Sequence, residues 1–164
     1  GLGALHRNDA TGGQSLVVTS DRDAFQLAAN DVTILQPVKG VSELARIGPD
    51  EVRERYGVDP GQVPDFIALR GDPSDKIPGA RGVGAKTAAA LLGEYESLDA
   101  LLAAGRFSAE AEALRLYRHI ATLDPSAPVP ALPDREPDWR AGGAAAEELG
   151  LGRLAGRLEE AASS

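Results

Sequence analysis

The sequence predicts a short α/β segment followed by a mostly α-helical domain. Two observations carry that expectation. Leu16-Val17-Val18-Thr19 and Val32-Thr33-Ile34-Leu35 are short, β-branched apolar runs, and they flank one helix-prone stretch. After Pro49 the apolar residues recur at helical spacing, and glycines and prolines punctuate them.

Gly1 to Gly13 holds four glycines and no sustained periodicity, so it reads as a loose or truncated start. Leu16 to Thr19, bounded by Ser20-Asp21, reads as a buried strand. Asp21-Arg22-Asp23 leads into Ala24 to Ala29, helical in propensity and closed by Asn30. Val32 to Leu35 is a second strand, stopped by Pro37. Strand, helix, strand at this spacing fits the tail of an α/β sheet.

Pro49 suits the first turn of a helix that runs through Val52 and Arg55 to Gly57, a C-terminal stop. A second helix is expected from about Gly61 to Leu69, then a loop from Gly71 to Gly84. Helix resumes over Lys86 to Leu92, again from Ser97 as N-cap, and again from Ala109 to Ile120. Pro125, Pro128, Pro130, Pro133 and Pro137 make an extended connector. The alanine-rich end, Ala144 to Ala162, reads as one or two short helices with Trp139 packed against them.

Composition narrows the chemistry. The chain has 164 residues, 43% hydrophobic and 26% charged, as a globular protein would. No cysteine is present, which excludes disulfides, thiolate metal sites and a cysteine nucleophile. His6 and His119 are the only histidines, and His119 sits among apolar helical positions in what reads as a structural role. Chemistry must then rest on carboxylates, lysines and hydroxyls. With 17 basic against 25 acidic residues the net charge is −8, a poor basis for general electrostatic capture of nucleic acid. Aromatics at 4% give little support for base-stacking platforms. No apolar run is long enough to cross a bilayer, and a cytoplasmic location is expected.

The segment Pro78-Gly79-Ala80-Arg81-Gly82-Val83-Gly84-Ala85-Lys86-Thr87 nearly matches two nucleotide motifs and fails both. Ala85 intervenes before the lysine that a phosphate-binding loop needs, and Thr87 stands where the dinucleotide fingerprint has its third glycine. What remains is a glycine turn, Gly82-Val83-Gly84, with Lys86-Thr87 opening a helix. Its bare backbone amides and helix N-terminus suit a phosphate, and Arg81, Lys86 and Lys76 form a local basic patch. The plain alternative is an ordinary helix–turn–helix corner. The pattern is that of the hairpin in helix–hairpin–helix domains, which hold the DNA backbone without reading bases.

Just upstream, Asp72 and Asp75 in Gly71-Asp72-Pro73-Ser74-Asp75 could hold a hard divalent cation on one turn, or could cap that turn. Asp21 and Asp23 follow the first strand, where open α/β sheets place ligand-binding residues; the competing reading is a helix N-cap.

Taken together, Val17 to Leu27, the Gly71–Asp75 block and the glycine hairpin resemble bacterial 5′-3′ exonucleases and the wider flap-endonuclease family, over roughly Ser15 to the C-terminal helices. The resemblance implies a PIN-like sheet remnant followed by a helix–hairpin–helix (H3TH) domain. It implies Asp21, Asp23, Asp72 and Asp75 as catalytic metal ligands, and Arg81, Gly82, Val83, Gly84, Lys86 and Thr87 as the DNA-binding hairpin. It further implies two Mg²⁺ or Mn²⁺ ions in the intact site, K⁺ at the hairpin carbonyls, and duplex DNA with a 5′ end or flap as substrate, in primer removal and repair. A monomer is expected. Lys76 stands where many relatives carry asparagine. The family's upstream acidic cluster and arch have no counterpart here, so the competing expectation is a DNA-binding fragment that does not cut. The expected organisation is residues 1–14 as the loose start, 15–48 as part of the nuclease core and 49–123 as the DNA-binding domain. Residues 124–137 would be the connector and 138–164 a helical cap.

Overall fold

The computed structural model describes residues 12–40, 42–124, 126–130 and 136–163. The expected loose start therefore lies mostly outside the described residues, as does much of the proline-rich connector. The chain divides into two compact units, Gly1–Pro130 and Ala131–Ser164.

The first unit opens with a three-stranded sheet in the order β1 (Ser15–Val18), β2 (Val32–Lys39), β3 (Glu43–Ile47). β1 pairs parallel with β2, Ser15 opposite Val32 and Val18 opposite Leu35; β2 pairs antiparallel with β3, Ile34 opposite Ile47. Three expectations change here. The strand does not stop at Pro37: β1 ends opposite Leu35, so among the described residues only β3 flanks β2 at Pro37, and a missing N–H is tolerated at such an edge. β3 is an additional strand, in a segment where the sequence predicts no element. β1 is also buried on one face only, since Leu16 and Val18 stay 52% and 62% exposed while Ser15 is buried.

The crossover from β1 to β2 contains a 3-10 turn, Asp23–Leu27, where an α-helix was expected. Phe25 and Ala24 anchor it in the core, and Ala28 turns extended, leaving no room for a second turn.

Helices follow in short succession. α1 (Pro49–Tyr56) starts on proline and ends at Gly57, whose φ of 71° is left-handed. A 3-10 turn, Pro60–Gln62, leads into α2 (Val63–Arg70), buried along nearly its whole length. α3 (Ala85–Tyr95), α4 (Leu98–Ala103) and α5 (Ala111–Ala121) pack around α2 through Leu92, Leu98, Leu101 and Leu114. Ser97 caps α4, its hydroxyl accepting from the Ala100 N–H at 3.2 Å. Asp65 of α2 adds a second tie, accepting the Leu98 N–H at 2.9 Å. Its other oxygen is buried without a hydrogen-bond partner, and Arg118 stands 3.7 Å away. Burial pushes the Asp65 carboxyl above its ordinary range, against the Leu98 N–H and Arg118, which act the other way. His119 is exposed and takes no part in the core.

The second unit is a helical hairpin of α6 (Trp139–Glu148) and α7 (Gly152–Ala162), with Ala146 and Ala155 buried. A Cβ at Gly142 or Gly143 would meet Leu158 at an ordinary contact distance, so neither position demands glycine. Trp139 begins α6 but remains 42% exposed, so it packs less than expected. No helix among the described residues is long and apolar enough to cross a membrane.

Candidate functional site

The loop 71–79 is the structural joint of the site. Asp72 and Ile77 exchange backbone hydrogen bonds of 2.9 and 2.8 Å, closing a tight reverse turn. At its neck the chain meets itself. A Cβ at Gly71 would lie 2.7 Å from the Ile77 carbonyl oxygen, and one at Gly79 would lie 2.5 Å from the Gly71 nitrogen. Both glycines also have left-handed φ, 84° and 76°, so the neck requires glycine twice over. The Ala80 N–H then bonds the Leu69 carbonyl at 2.9 Å, fixing the start of the hairpin to the end of α2. Lys76 holds a φ of 58°, a region asparagine enters more readily than lysine.

Asp72 is buried, and its Oδ1 accepts from both the Ser74 N–H (2.9 Å) and the Ser74 hydroxyl. Its Oδ2 lies 3.4 Å from Arg70. The Ser74 hydroxyl, then its N–H and Arg70, hold the Asp72 carboxyl below its ordinary value despite burial. The capping reading is thus realised for Asp72, without excluding a ligand role for Oδ2. Arg70 is itself fixed: its guanidinium lies 5.3 Å from the Phe66 ring centre and 5.9 Å from that of Tyr56. Those rings stack at 5.0 Å, and Tyr56 meets Phe25 at 5.7 Å. An aromatic stack therefore runs from the turn bearing Asp23 to the arginine beside Asp72.

Asp21 also makes a local bond, its Oδ1 accepting the Asp23 N–H at 3.0 Å, while Thr19 accepts the Asp21 N–H. Asp21, Asp23, Asp72 and Asp75 nonetheless line one cleft of about 410 Å³, together with Ser20, Arg22 and Ser74. Asp23 registers this crowding. Burial first, then Asp21, Asp75 and Asp72, pushes its carboxyl from 3.8 up to about 6. The donor set is oxygen only and mutually repulsive, the chemistry a hard divalent cation relieves. It is an open arrangement: among the described residues no three acidic or histidine side chains converge into a ready cage.

At the hairpin, Gly82 takes a φ of 75° and Gly84 is the N-cap of α3, with no side chain capping the helix. Ala80 and Val83 are buried while Arg81, Gly82, Gly84, Lys86 and Thr87 are exposed. Val83 can therefore offer its backbone and not its side chain. The turn borders a groove of about 610 Å³, whose far wall is Glu110, Leu114 and Tyr117. Glu110 reaches across it and accepts the Arg81 N–H at 3.1 Å.

Sequence reasoning missed Arg70, Ser74 and Glu110. Ser74 had a readable signal, an Asp-x-Ser spacing that favours a local side-chain turn. Glu110 had none, because its partner Arg81 lies on another element; Arg70 follows Phe66 by one turn on α2, but Tyr56, the ring stacked on Phe66, comes from α1.

Comparison with known proteins gives the class. Residues 58–137 match the family described as 5′-3′ exonuclease, C-terminal SAM fold. DNA polymerase I of Mycobacterium tuberculosis is 62% identical over 87 residues, 53% of this chain and 10% of that protein. A 5′-3′ exonuclease of Streptomyces coelicolor is 49% identical over 90 residues, 54% of this chain and 30% of that protein. In fold, a solved bacteriophage T5 flap endonuclease, a pseudo-enzyme–product complex with DNA and metal ions, aligns with a TM-score of 0.61 at 17% identity. That alignment covers 99% of this chain and 58% of the phage protein. Residues 58–137 therefore carry the C-terminal domain of the 5′-3′ exonuclease family, and the chain spans 10% and 30% of the length of these two curated relatives.

Proposed function

We propose that this chain supplies the duplex-gripping hairpin and four metal-holding carboxylates of a divalent-metal-dependent 5′-3′ exonuclease and 5′-flap endonuclease, acting in primer removal and repair. One observation carries the reading: the turn that bears Asp72 and Asp75 closes through Gly71 and Gly79 directly into the hairpin, so carboxylates and phosphate-binding amides share one rigid block. In this reading Asp21, Asp23, Asp72 and Asp75 hold Mg²⁺ or Mn²⁺, which would supply a polarised water and charge neutralisation at the attacked phosphodiester. Two ions are proposed for the intact site. Arg70 and Ser74 keep Asp72 ionised and oriented. The amides of Gly82 and Gly84 and the N-terminal amides of α3 take a backbone phosphate, Lys86 adds a mobile charge, and Arg81 and Thr87 flank the contact. The hairpin carbonyls are the proposed K⁺ position.

The same reading assigns residues 15–48 to the nuclease core, 49–123 to DNA binding and 138–164 to a helical cap, with 1–14 and 124–137 as flanking and connecting segments. The substrate is duplex with a 5′ end or flap, met by a cytoplasmic monomer.

A second reading, duplex binding without cleavage, draws on the open spacing of the carboxylates. One assay separates the two. Purified chain is added to a labelled 5′-flap duplex with Mg²⁺ or Mn²⁺, beside Asp72→Asn/Asp75→Asn. Metal-dependent cleavage that the double variant loses supports the nuclease. Retarded but intact substrate supports the binding fragment.

A further inference from the structure

Gln26 lies in the 3-10 turn that bears Asp23, and its half-buried amide is fully engaged. Nε2 donates to the Asp23 carbonyl at 2.8 Å and to the Ala121 carbonyl at 2.8 Å, while Oε1 accepts the Leu123 N–H at 2.9 Å. Two of these partners lie 95 and 97 residues away in sequence. Ala121 is the last residue of α5, where the final helical carbonyls lack intrahelical donors, and Leu123 lies just beyond it. One side chain therefore caps a helix and closes the carboxylate-bearing turn. Only an amide offers two donors and an acceptor in this arrangement. The turn is short, five residues, and its N-cap residue Arg22 makes no side-chain bond to it, leaving the Asp21 carboxylate as the side chain on its first amide. α5 is also the helix whose Leu114 and Tyr117 wall the hairpin groove.

We infer that Gln26 is a positioning residue for the carboxylate cleft. It fastens the Asp23 turn to the end of α5 and so sets the spacing of Asp21 and Asp23 against Asp72 and Asp75. This rests on the reading of the cleft as a divalent-cation site.

Gln26→Met keeps the unbranched length and removes all three hydrogen bonds. In titrations of the chain with Mn²⁺, the variant should bind about tenfold more weakly, the usual scale for losing a supporting contact behind a metal ligand. Its far-ultraviolet circular dichroism should match that of the unsubstituted chain. Unchanged Mn²⁺ affinity in Gln26→Met, with binding still lost in Asp72→Asn/Asp75→Asn, would overturn the positioning role and leave the cation site standing. Undiminished Mn²⁺ affinity in the double aspartate variant would overturn both. Collapse of the helical spectrum in Gln26→Met would assign the residue to general folding and overturn the specific role. A measurement on the unsubstituted chain is independent of how the variant folds. Mg²⁺ should slow hydrogen exchange at the Leu123 N–H several-fold, because ordering the turn also orders its partner. Exchange unaffected by Mg²⁺ would overturn the inference.

Discussion

Asp23 binds its proton more tightly in the folded chain than in the unfolded one, because burial and three neighbouring carboxylates raise its value to about 6. The sign of the linkage follows. A raised carboxyl favours folding while it is protonated, and stability is lost as pH rises from the ordinary aspartate range through about 6. Asp23→Asn removes that loss. Urea unfolding at about pH 8 should find the variant more stable than the parent, with the gap closing below about pH 4. Mn²⁺ titration of the same variant should show weaker binding, so stability and metal affinity move in opposite directions. A variant destabilised at every pH would mean that Asp23 serves the turn and not the cleft. Asp72 contrasts with it: Ser74 and Arg70 keep this buried group ionised, so the two carboxyls facing one cleft titrate apart. The aspartates themselves were readable as pairs flanking a strand end and a glycine loop. Their different environments were not: Phe66 lies one turn before Arg70 on α2, but Tyr56, which stacks on Phe66, comes from α1, and stacking across helices leaves no local sequence pattern.

Among the elements, the 71–79 neck is where backbone geometry decides most. Gly79→Ala would set a Cβ 2.5 Å from the Gly71 nitrogen at a left-handed φ, and should cost about 3 kcal/mol or more. Gly82→Ala shares the left-handed φ but meets nothing within 4 Å, so its cost should be about 1 kcal/mol. Urea midpoints of the two variants separate steric closure from backbone preference. Equal losses would show that the neck is no tighter than the hairpin tip. The helices here were readable from sequence because their signals are local: Pro49 and Gly57 bound α1, and Ser97 caps α4. β3 was not readable, because Glu43-Leu44-Ala45-Arg46-Ile47 has no strand alternation of its own and gains its conformation from pairing with β2. The 3-10 turn was read as a helix because its composition is helical, while the short crossover and the burial of Phe25 limit its length.

For the molecule as a whole, a net charge of −8 has to be reconciled with a surface proposed to hold DNA. Long-range repulsion acts on the whole chain, whereas phosphate contact acts through a few local groups. Lys86 is the clearest of these, exposed at the second position of α3, where the helix presents its free N-terminal amides. Glu110 works against it by occupying the Arg81 amide, so the hairpin is only weakly basic and depends on each cation it has. Lys86→Ala touches no core residue and should leave stability within about 0.5 kcal/mol of the parent. Its effect should fall on duplex binding. If Lys86 contacts one phosphate, the slope of log affinity against log salt should become shallower by about 0.9, and affinity should fall similarly for duplexes of unrelated sequence. Fluorescence anisotropy across a salt series reads both. An unchanged slope would remove Lys86 from the interface and leave the backbone amides of the glycine turn as the grip. A loss confined to one duplex sequence would mean base contact, which a hairpin holding phosphates cannot supply.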